Sequence, residues 1–271
     1  MIKILTDGIN DCTNADYHAD RKYLSSSVLK TVLKSLDDYK KQYIDGEKKV
    51  FGNVAALDEG SLAHAYILEP HLVEQDFLFF NGFRKAGPEW DNFLASIDSA
   101  AAKKPILSMP QKHRVQELIK VYNAHPVAPK LMANVQCEQT ICGELHGIPI
   151  KVRFDAIDVE AGAILDIKTT GYSGDVDSFK QTLKDLNYEL SAALYCAMAE
   201  IHYGKPFDFY FIVLSKKDIA CNVYKTSDMT MARGNRMVLD ACQKYKKAKE
   251  TNVWTEGEKT AKVIVTNILE V

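Results

Sequence analysis

The sequence predicts a mixed α/β fold in which helices come first, a central β-sheet follows, and a helical stretch, two strands and a last helix close the chain. Apolar residues recur at helical spacing in the first and last thirds, whereas residues 136–170 and 207–226 alternate or run apolar, as strands do. The 271 residues contain no internal repeat, low-complexity segment or linker. We therefore expect one domain spanning residues 1–271.

The first 70 residues are expected to form an irregular segment and then two helices. Residues 1–24 are polar and show no clear period. The serines at positions 25–27 provide an N-cap for a helix that runs towards Gly46, with valines and leucines at helical spacing. A second helix spans residues 54–70, is ended by a proline and carries His64 in its middle.

The middle of the chain changes from loop to sheet. Residues 71–108 are rich in loop-forming residues and are expected to be an insertion. A helix over residues 110–125 has one proline near its start and another after its end. Residues 136–142, 148–157 and 163–170 are then predicted to be strands.

The last part returns to helix. Residues 176–203 are mostly helical in pattern, including a long helix over 184–203. An apolar strand over 207–214 is expected to form a hairpin with 219–226, and a helix around 228–250 closes the domain.

Composition narrows the functional classes. No apolar run approaches the roughly 18–20 residues that a membrane-spanning helix needs, and acids interrupt the N-terminal stretch where an export signal would be apolar. The six cysteines form no C-x-x-C pair, which disfavours iron–sulfur and zinc-ribbon sites and favours reduced thiols in a cytoplasm. Because the net charge is −2, any binding to nucleic acid must come from a local groove.

An acid and a base on one strand face raise the question of a metal site. Asp166 and Lys168 are two residues apart in the strand 163–170, so they share a face. If the preceding loop centres on residues 160–161, Asp155 lies directly opposite Asp166, with Cβ atoms about 4.5–5.5 Å apart. Two such carboxylates repel each other unless a divalent cation lies between them, and Mg²⁺ prefers oxygen ligands.

Two other interpretations remain open from spacing alone. A surface strand with alternating charges would have the same pattern, because Asp-x-Lys is common. Lys151 and Arg153 share the predicted face of Asp155, so this carboxylate could also belong to an intrastrand charge pair.

Four stretches in this order resemble the PD-(D/E)XK nucleases and, more closely, the exonuclease VIII (RecE) C-terminal nuclease and lambda exonuclease branch. They are LSSSVLKTVLKSLDDYKKQY, GSLAHAYILEP, KVRFDAIDVEAGAILDIKTT and FKQTLKDLNYELSAALY, and they run from about Leu24 to Tyr203. The resemblance implies a restriction-endonuclease-like core, in which a central mixed β-sheet is flanked by helices.

The resemblance also implies a catalytic centre. Asp155 and Asp166 match the metal-binding carboxylates, Ile167 would offer its main-chain carbonyl, and His64 matches the helix histidine that joins the metal site. Lys168 matches the lysine that orients or activates the attacking water. The implied cofactor is Mg²⁺, with Mn²⁺ able to replace it. Without the resemblance, a histidine on a mostly apolar helix such as His64 is more typical of a core.

A further set of residues is expected to contact DNA: Ser27, Arg153, Thr169, Tyr188, Ser191 and Tyr195. Ser27 and Arg153 are candidates for a 5′-phosphate pocket, although the serines at 25–27 are first of all a helix cap. Tyr188, Ser191 and Tyr195 lie on one helix flank, which suits a nucleic-acid groove and suits a half-buried flank equally well. The family has glutamine where this chain has Ser191, which leaves substrate positioning by that side chain in doubt.

The resemblance implies metal-dependent 5′→3′ hydrolysis of duplex DNA ends in the cytoplasm of a bacterium or phage-infected cell, leaving 3′ single-stranded tails for recombination. It also implies a ring-shaped homo-oligomer and a single-strand annealing protein as partner. One alternative is a RecB or CRISPR-type nuclease with another polarity or a single-stranded substrate. The other is a non-catalytic protein of the same fold that binds DNA ends.

Overall fold

A five-stranded sheet forms the centre of the computed structural model, which describes residues 3–47 and 54–255. The strands are β1 (Gly8–Asn10), β2 (Leu78–Phe80), β3 (Ile106–Ser108), β4 (Gln136–Cys137), β5 (Thr140–Leu145), β6 (Ile148–Arg153), β7 (Ala156–Asp158), β8 (Ala163–Thr170), β9 (Asp208–Ser215) and β10 (Ala220–Lys225). Residues 256–271 of the predicted domain lie outside the described residues.

Helices surround the strands. They are α1 (Asn14–Ala19), α2 (Ser26–Lys34), α3 (Leu36–Tyr39), α4 (Val54–Leu68), α5 (Val73–Asp76), α6 (Pro88–Ser96), α7 (Met109–Ala124), α8 (Ala128–Leu131), α9 (Val176–Asp185), α10 (Tyr188–Tyr203) and α11 (Asp228–Thr251). Among the described residues, no helix combines the length and the apolar character needed to cross a bilayer.

The central sheet is mixed, as predicted. Its strand order is β10-β9-β8-β7-β4, with β8 and β9 parallel and the other neighbours antiparallel. A second, antiparallel sheet has the order β1-β5-β6, and β2 pairs with β3 in parallel. The predicted α/β class is therefore confirmed.

The middle strands of the sheet are buried on both faces. Along β9, Phe209 and Phe211 pack into the core beneath α2, α10 and α11, whereas Ile212 and Leu214 pack into a second core beneath α4 and α7. This alternation follows from the two-residue period of a strand. Buried parallel strands of this kind read as continuous apolar runs, which is why β9 could be identified in the sequence.

The predicted strand over 148–157 bends at Phe154 and Asp155. Up to Arg153 it pairs with β5 in the smaller sheet, and from Ala156 it pairs with β4 and β8 in the central sheet. The hydrogen bonds Phe154 N–H to Gln139 O (3.0 Å) and Glu138 N–H to Asp155 O (3.1 Å) carry the same register through the corner. Glu138, which pairs with Asp155, has a positive φ of 54°. The two neighbouring strands therefore bend at the same place.

The hairpin register brings the two key acids together. Ala156 pairs with Leu165 and Ile157 with Ile164, so the next position along places Asp155 opposite Asp166, as the short loop predicts. Asp155 itself lies one residue beyond the last paired position, at the corner. Its side chain is therefore directed by the bend and not by regular strand alternation.

The N-terminal segment is more ordered than the prediction of an irregular stretch over 1–24. Within it, β1 pairs with β5 as the edge strand of the smaller sheet, and α1 begins at a capping box formed by Thr13 and Asp16. The segment covers Lys151, which was expected on a charged face but is only 4% exposed. Lys151 Nζ donates to Tyr17 O (2.5 Å) and Asp20 O (2.9 Å) and pairs with the Asp20 carboxylate.

Replacing Lys151 with methionine should lower the free energy of unfolding by about 3 kcal/mol, because Asp20 would stay buried without its cation. Urea unfolding at neutral pH measures this. The matched control is Lys225→Met: the exposed pair of Lys225 with Asp208 should contribute less than about 1 kcal/mol. Equal effects of the two substitutions would contradict the buried role of Lys151.

The predicted loop-rich insertion over 71–108 also contains regular structure. It includes α5, the strands β2 and β3, and α6, whose start at Pro88 follows the N1 preference of proline. Phe80 contacts Trp90 and Phe93, so the insertion has a small aromatic cluster of its own. The strands are only three residues long, which is too short for an alternating pattern to be recognised.

Two predicted helices are divided. The helix expected from Ser25 to about Gly46 stops at Ser35, whose extended backbone caps α3, and it continues as a π-helical turn over Lys40–Ile44. The helix expected over 184–203 starts only at Tyr188, because Asn187 adopts a positive φ of 50°. Both breaks lie at residues that compete with helical hydrogen bonding through their side chains.

Candidate active site

A cleft of about 880 Å³ opens where α4, β8 and the first turns of α10 meet. Its lining side chains include most of the predicted site: His64, Arg153, Asp155, Ile167, Lys168, Thr169, Tyr188 and Tyr195. Asp166 lies just below the surface of the cleft and is 4% exposed. The cleft is therefore the one place where the predicted catalytic residues from the helix, the corner and the strand meet.

The two acids and the lysine are held by different partners. Asp155 Oδ2 accepts a hydrogen bond from the main-chain N–H of Ile167 (2.7 Å). The ammonium group of Lys168 contacts Asp166 Oδ2 and lies 3.5 Å from the main-chain oxygen of Ile167. The arrangement joins Asp155, Asp166 and Lys168 at one patch of the sheet, as the sequence predicts. Lys151 and Arg153 pair with Asp20 and Glu138, so neither provides the intrastrand partner for Asp155.

The burial of this patch changes its proton affinities. Burial raises the pKa of the Asp166 carboxyl; the Asp155 carboxylate raises it further, and the ammonium of Lys168 opposes both. For Lys168, burial alone would lower the pKa, but the two carboxylates outweigh burial and raise it above its usual range. Lys168 is therefore a protonated ammonium, positioned to meet a negatively charged group in the cleft.

Helix α4 brings His64 to the acids. Its Nδ1 atom lies 3.6 Å from Asp155 Oδ2. One turn earlier, a Cβ atom at Gly60 would lie 3.1 Å from the Oγ1 atom of Thr169, which is tighter than almost all real contacts. The glycine therefore allows α4 to lie against β8, and this close approach places the imidazole at the site.

The donor set suits a hard divalent cation. Asp155, Asp166 and the carbonyl of Ile167 supply oxygen atoms, and His64 supplies one nitrogen. As arranged, Lys168 and the Ile167 N–H already engage the carboxylates. No cluster of three or more His, Cys, Asp or Glu side chains close enough to hold a metal occurs within residues 3–47 and 54–255. The side chains present are of the kinds that bind a divalent cation. To bind one, Asp166 would have to give up its contact with Lys168.

Sequence reasoning did not identify Lys30, a cation beside the Tyr188 ring. Lys30 Nζ lies 4.9 Å from the centroid of the Tyr188 ring, and Lys168 Nζ lies 5.1 Å from the same ring. Burial, and then the charge of Lys168, lower the pKa of Lys30 to about 8. Lys30 lies one turn after Ser26 on α2, so the two residues share a helix face. This spacing could have indicated that Lys30 lies near the serines at 25–27.

The flank of α10 separates into two half-buried tyrosines that line the cleft and one buried serine. Tyr188 and Tyr195 line the cleft, and burial followed by the charges of Asp166 and Asp155 raises the pKa of Tyr195. Ser191 is buried among the core residues of α10 and is not among the described side chains that line the cleft.

The two predicted 5′-phosphate residues line different cavities. Arg153 lies in the main cleft, where it pairs with Glu138 and donates to the main-chain oxygen of Cys12 (3.3 Å). Ser27 lines a smaller pocket of about 100 Å³ together with Arg21 and Ser25. Tyr17 and His18 line both cavities, so the two are neighbours.

Comparison with known proteins identifies a family for this chain. Residues 25–264 match the model of a family described as a PDDEXK-like domain of unknown function (DUF3799). No curated protein matches the chain in sequence.

The fold also has a counterpart among crystal structures. A protein from Eubacterium rectale described as a putative exonuclease superposes with a TM-score of 0.67 at 17% identity, covering 90% of this chain and 88% of its own. A second structure, of SSO0001, has a TM-score of 0.30 at 12% identity over 80% of this chain and 84% of its own, too low to carry an argument. The resemblance to PD-(D/E)XK proteins is thus confirmed, and the chain belongs to the PDDEXK-like family DUF3799.

Proposed function

We propose that this protein is a metal-dependent exodeoxyribonuclease that hydrolyses phosphodiester bonds from the 5′ ends of duplex DNA. One observation carries the proposal: Asp155, Asp166 and Lys168 meet His64 at the floor of a single open cleft. A structural ion pair would need no cleft of this size and no histidine from a separate helix.

The side chains have distinct roles in the proposed reaction. Asp155, Asp166, His64 and the Ile167 carbonyl would hold Mg²⁺ or Mn²⁺, which would polarise a phosphoryl oxygen and lower the pKa of a bound water. The N–H of Ile167 orients the Asp155 carboxylate. Lys168 places its ammonium beside the attacked phosphate and stabilises the negative charge that builds up there.

The walls of the cleft suit a polynucleotide. Tyr188 and Tyr195 line the cleft as aromatic side chains, and Lys30 adds positive charge beside the Tyr188 ring. Thr169 lies at the contact between β8 and α4 and lines the cleft.

The polarity is supported by the small pocket next to the cleft. Its lining combines the exposed guanidinium of Arg21 with the hydroxyls of Ser25 and Ser27 at the start of α2. A helix N-terminus with adjacent hydroxyls and an arginine binds phosphate well. A terminal 5′-phosphate in this pocket would lie next to the main cleft.

The test uses linear duplex DNA with ³²P at either the 5′ or the 3′ end. With Mg²⁺, the full-length protein should release the 5′ label early as mononucleotide, while the 3′ label stays in long products. EDTA should stop the release of label from either end. A covalently closed circular DNA, which has no ends, should stay intact. Early release of the 3′ label would contradict the polarity, and DNA binding without any cleavage would indicate an end-binding protein instead.

The phosphate pocket has a separate control. Ends carrying a 5′-phosphate should be degraded faster than 5′-hydroxyl ends, and Arg21→Gln should remove that difference.

The proposal also includes assembly into a ring, a role in recombination and a single-strand annealing partner. Sedimentation analysis of the purified protein tests the assembly into a ring.

A further inference from the structure

A second groove opens beside the main cleft, along an adjoining flank of α4. This lateral groove, of about 380 Å³, is lined by Ala55, Ala56, Glu59, Arg114, Gly171, Lys216 and Lys217. Three of these residues, Ala56, Gly171 and Lys216, also line the main cleft. The two cavities are therefore neighbours.

The floor of the lateral groove is a buried carboxylate with two cations. Arg114 Nη1 lies 3.0 Å from Glu59 Oε1 and Lys216 Nζ lies 3.1 Å from Glu59 Oε2, while the Glu59 side chain is 5% exposed. Because the Glu59 carboxylate faces two cations, Arg114 and Lys216, the cluster carries a net positive charge. Because three elements meet here, α4, α7 and the turn after β9, the cations are held in fixed positions.

The remaining donors are available to an anion. The Arg114 side chain is 46% exposed, and only part of its fork of N–H groups is used by Glu59. Lys217 is exposed beside it. The neighbouring acid, Asp218, turns away from the groove: it accepts hydrogen bonds from Ser173 and from the main-chain N–H of Gly174.

The lateral groove adjoins the strand that carries Lys168. The N–H of Lys216 donates to Thr170 O (2.8 Å), and Thr170 lies two residues beyond Lys168 on β8. Two strand residues span roughly 6.5–7 Å. The lateral groove therefore begins only a short way along the sheet from Lys168.

We propose that the lateral groove binds the phosphodiester backbone of the DNA strand beyond the scissile bond, through Arg114, Lys216 and Lys217. This inference rests on the proposed nuclease function and refines its substrate: a polynucleotide long enough to reach the groove. Fragments that end before it gain nothing from these cations.

The test compares two double variants of the full-length protein. Arg114→Gln with Lys217→Gln removes the exposed groove cations, and Lys120→Gln with Lys180→Gln removes two exposed lysines that line neither cavity. Affinity for a 20-base-pair 5′-phosphorylated duplex is measured by fluorescence anisotropy in Ca²⁺ between 50 and 200 mM salt. The groove variant should bind more weakly, and its slope of log affinity against log salt should fall by about 2, one unit for each lost phosphate contact.

A length series completes the test. With Mg²⁺, the groove variant should cleave the 20-base-pair duplex more slowly than wild type but a 5′-phosphorylated dinucleotide equally well, and the control should match wild type on both. If the double variant does not fold, Lys217→Gln alone should lower the slope by about 1. An unchanged slope in a variant that folds overturns the groove proposal alone, whereas absence of cleavage by the wild-type protein overturns the proposed function.

Discussion

Replacing Asp166 with asparagine should lower the rate of DNA hydrolysis at least a thousandfold while the protein stays folded. The substitution keeps the shape of the side chain and removes its charge. A thousandfold loss corresponds to about 4 kcal/mol of transition-state stabilisation, within the several kcal/mol that a Lewis-acidic metal supplies. It would also leave Lys168 without the carboxylate that it contacts.

The measurement is release of mononucleotide from linear duplex DNA, combined with titration calorimetry of Mn²⁺ binding. Both signals should be lost together in Asp166→Asn. Asp158→Asn is the matched control, because Asp158 lies on the same hairpin but accepts a hydrogen bond from the Ala161 N–H (2.8 Å) at the loop. An Asp166→Asn protein that keeps more than a tenth of the activity would remove the assignment of the site.

Replacing Gly234 with alanine should lower the stability of the protein. Gly234 lies where α11 crosses α10, and a Cβ atom there would lie 2.2 Å from Glu189 O and 2.8 Å from the Ala193 Cβ. The helices would have to move apart, since the nearest atom belongs to the backbone. Overpacking of this kind costs about 3 kcal/mol at the upper end, and the better helix propensity of alanine returns about 1 kcal/mol.

The expected net loss of about 2 kcal/mol corresponds to a fall in Tm of roughly 4–8 °C for a domain of this size. Differential scanning calorimetry measures it. Gly171→Ala serves as the control, because nothing lies within 4 Å of its Cβ position and its Tm should shift little. A Gly234→Ala protein as stable as this control would show that the α10–α11 crossing is looser than the structure indicates.

Most of the regular elements could be predicted because their signals are local. The strand AILDIKTT occupies residues 163–170 as its pattern indicates, and the helix bearing His64 ends two residues from the predicted position. The hairpin register of Asp155 and Asp166 was also predictable, since a short loop leaves few ways to pair the two strands. Errors concentrated where elements are short, as in β2 and β3, or where a side chain interrupts a helix, as at Ser35.

The sequence by itself therefore determined the two acids, the lysine two residues later and the strands that carry them, because these depend on contacts between near neighbours. Tertiary structure alone decided which charges are buried and which face the cleft. Lys151 is buried beside Asp20, 131 residues earlier in the sequence, and Arg114 pairs with Glu59, 55 residues earlier. No local pattern encodes such partners, since they meet only when separate helices and the N-terminal segment pack against the finished sheet.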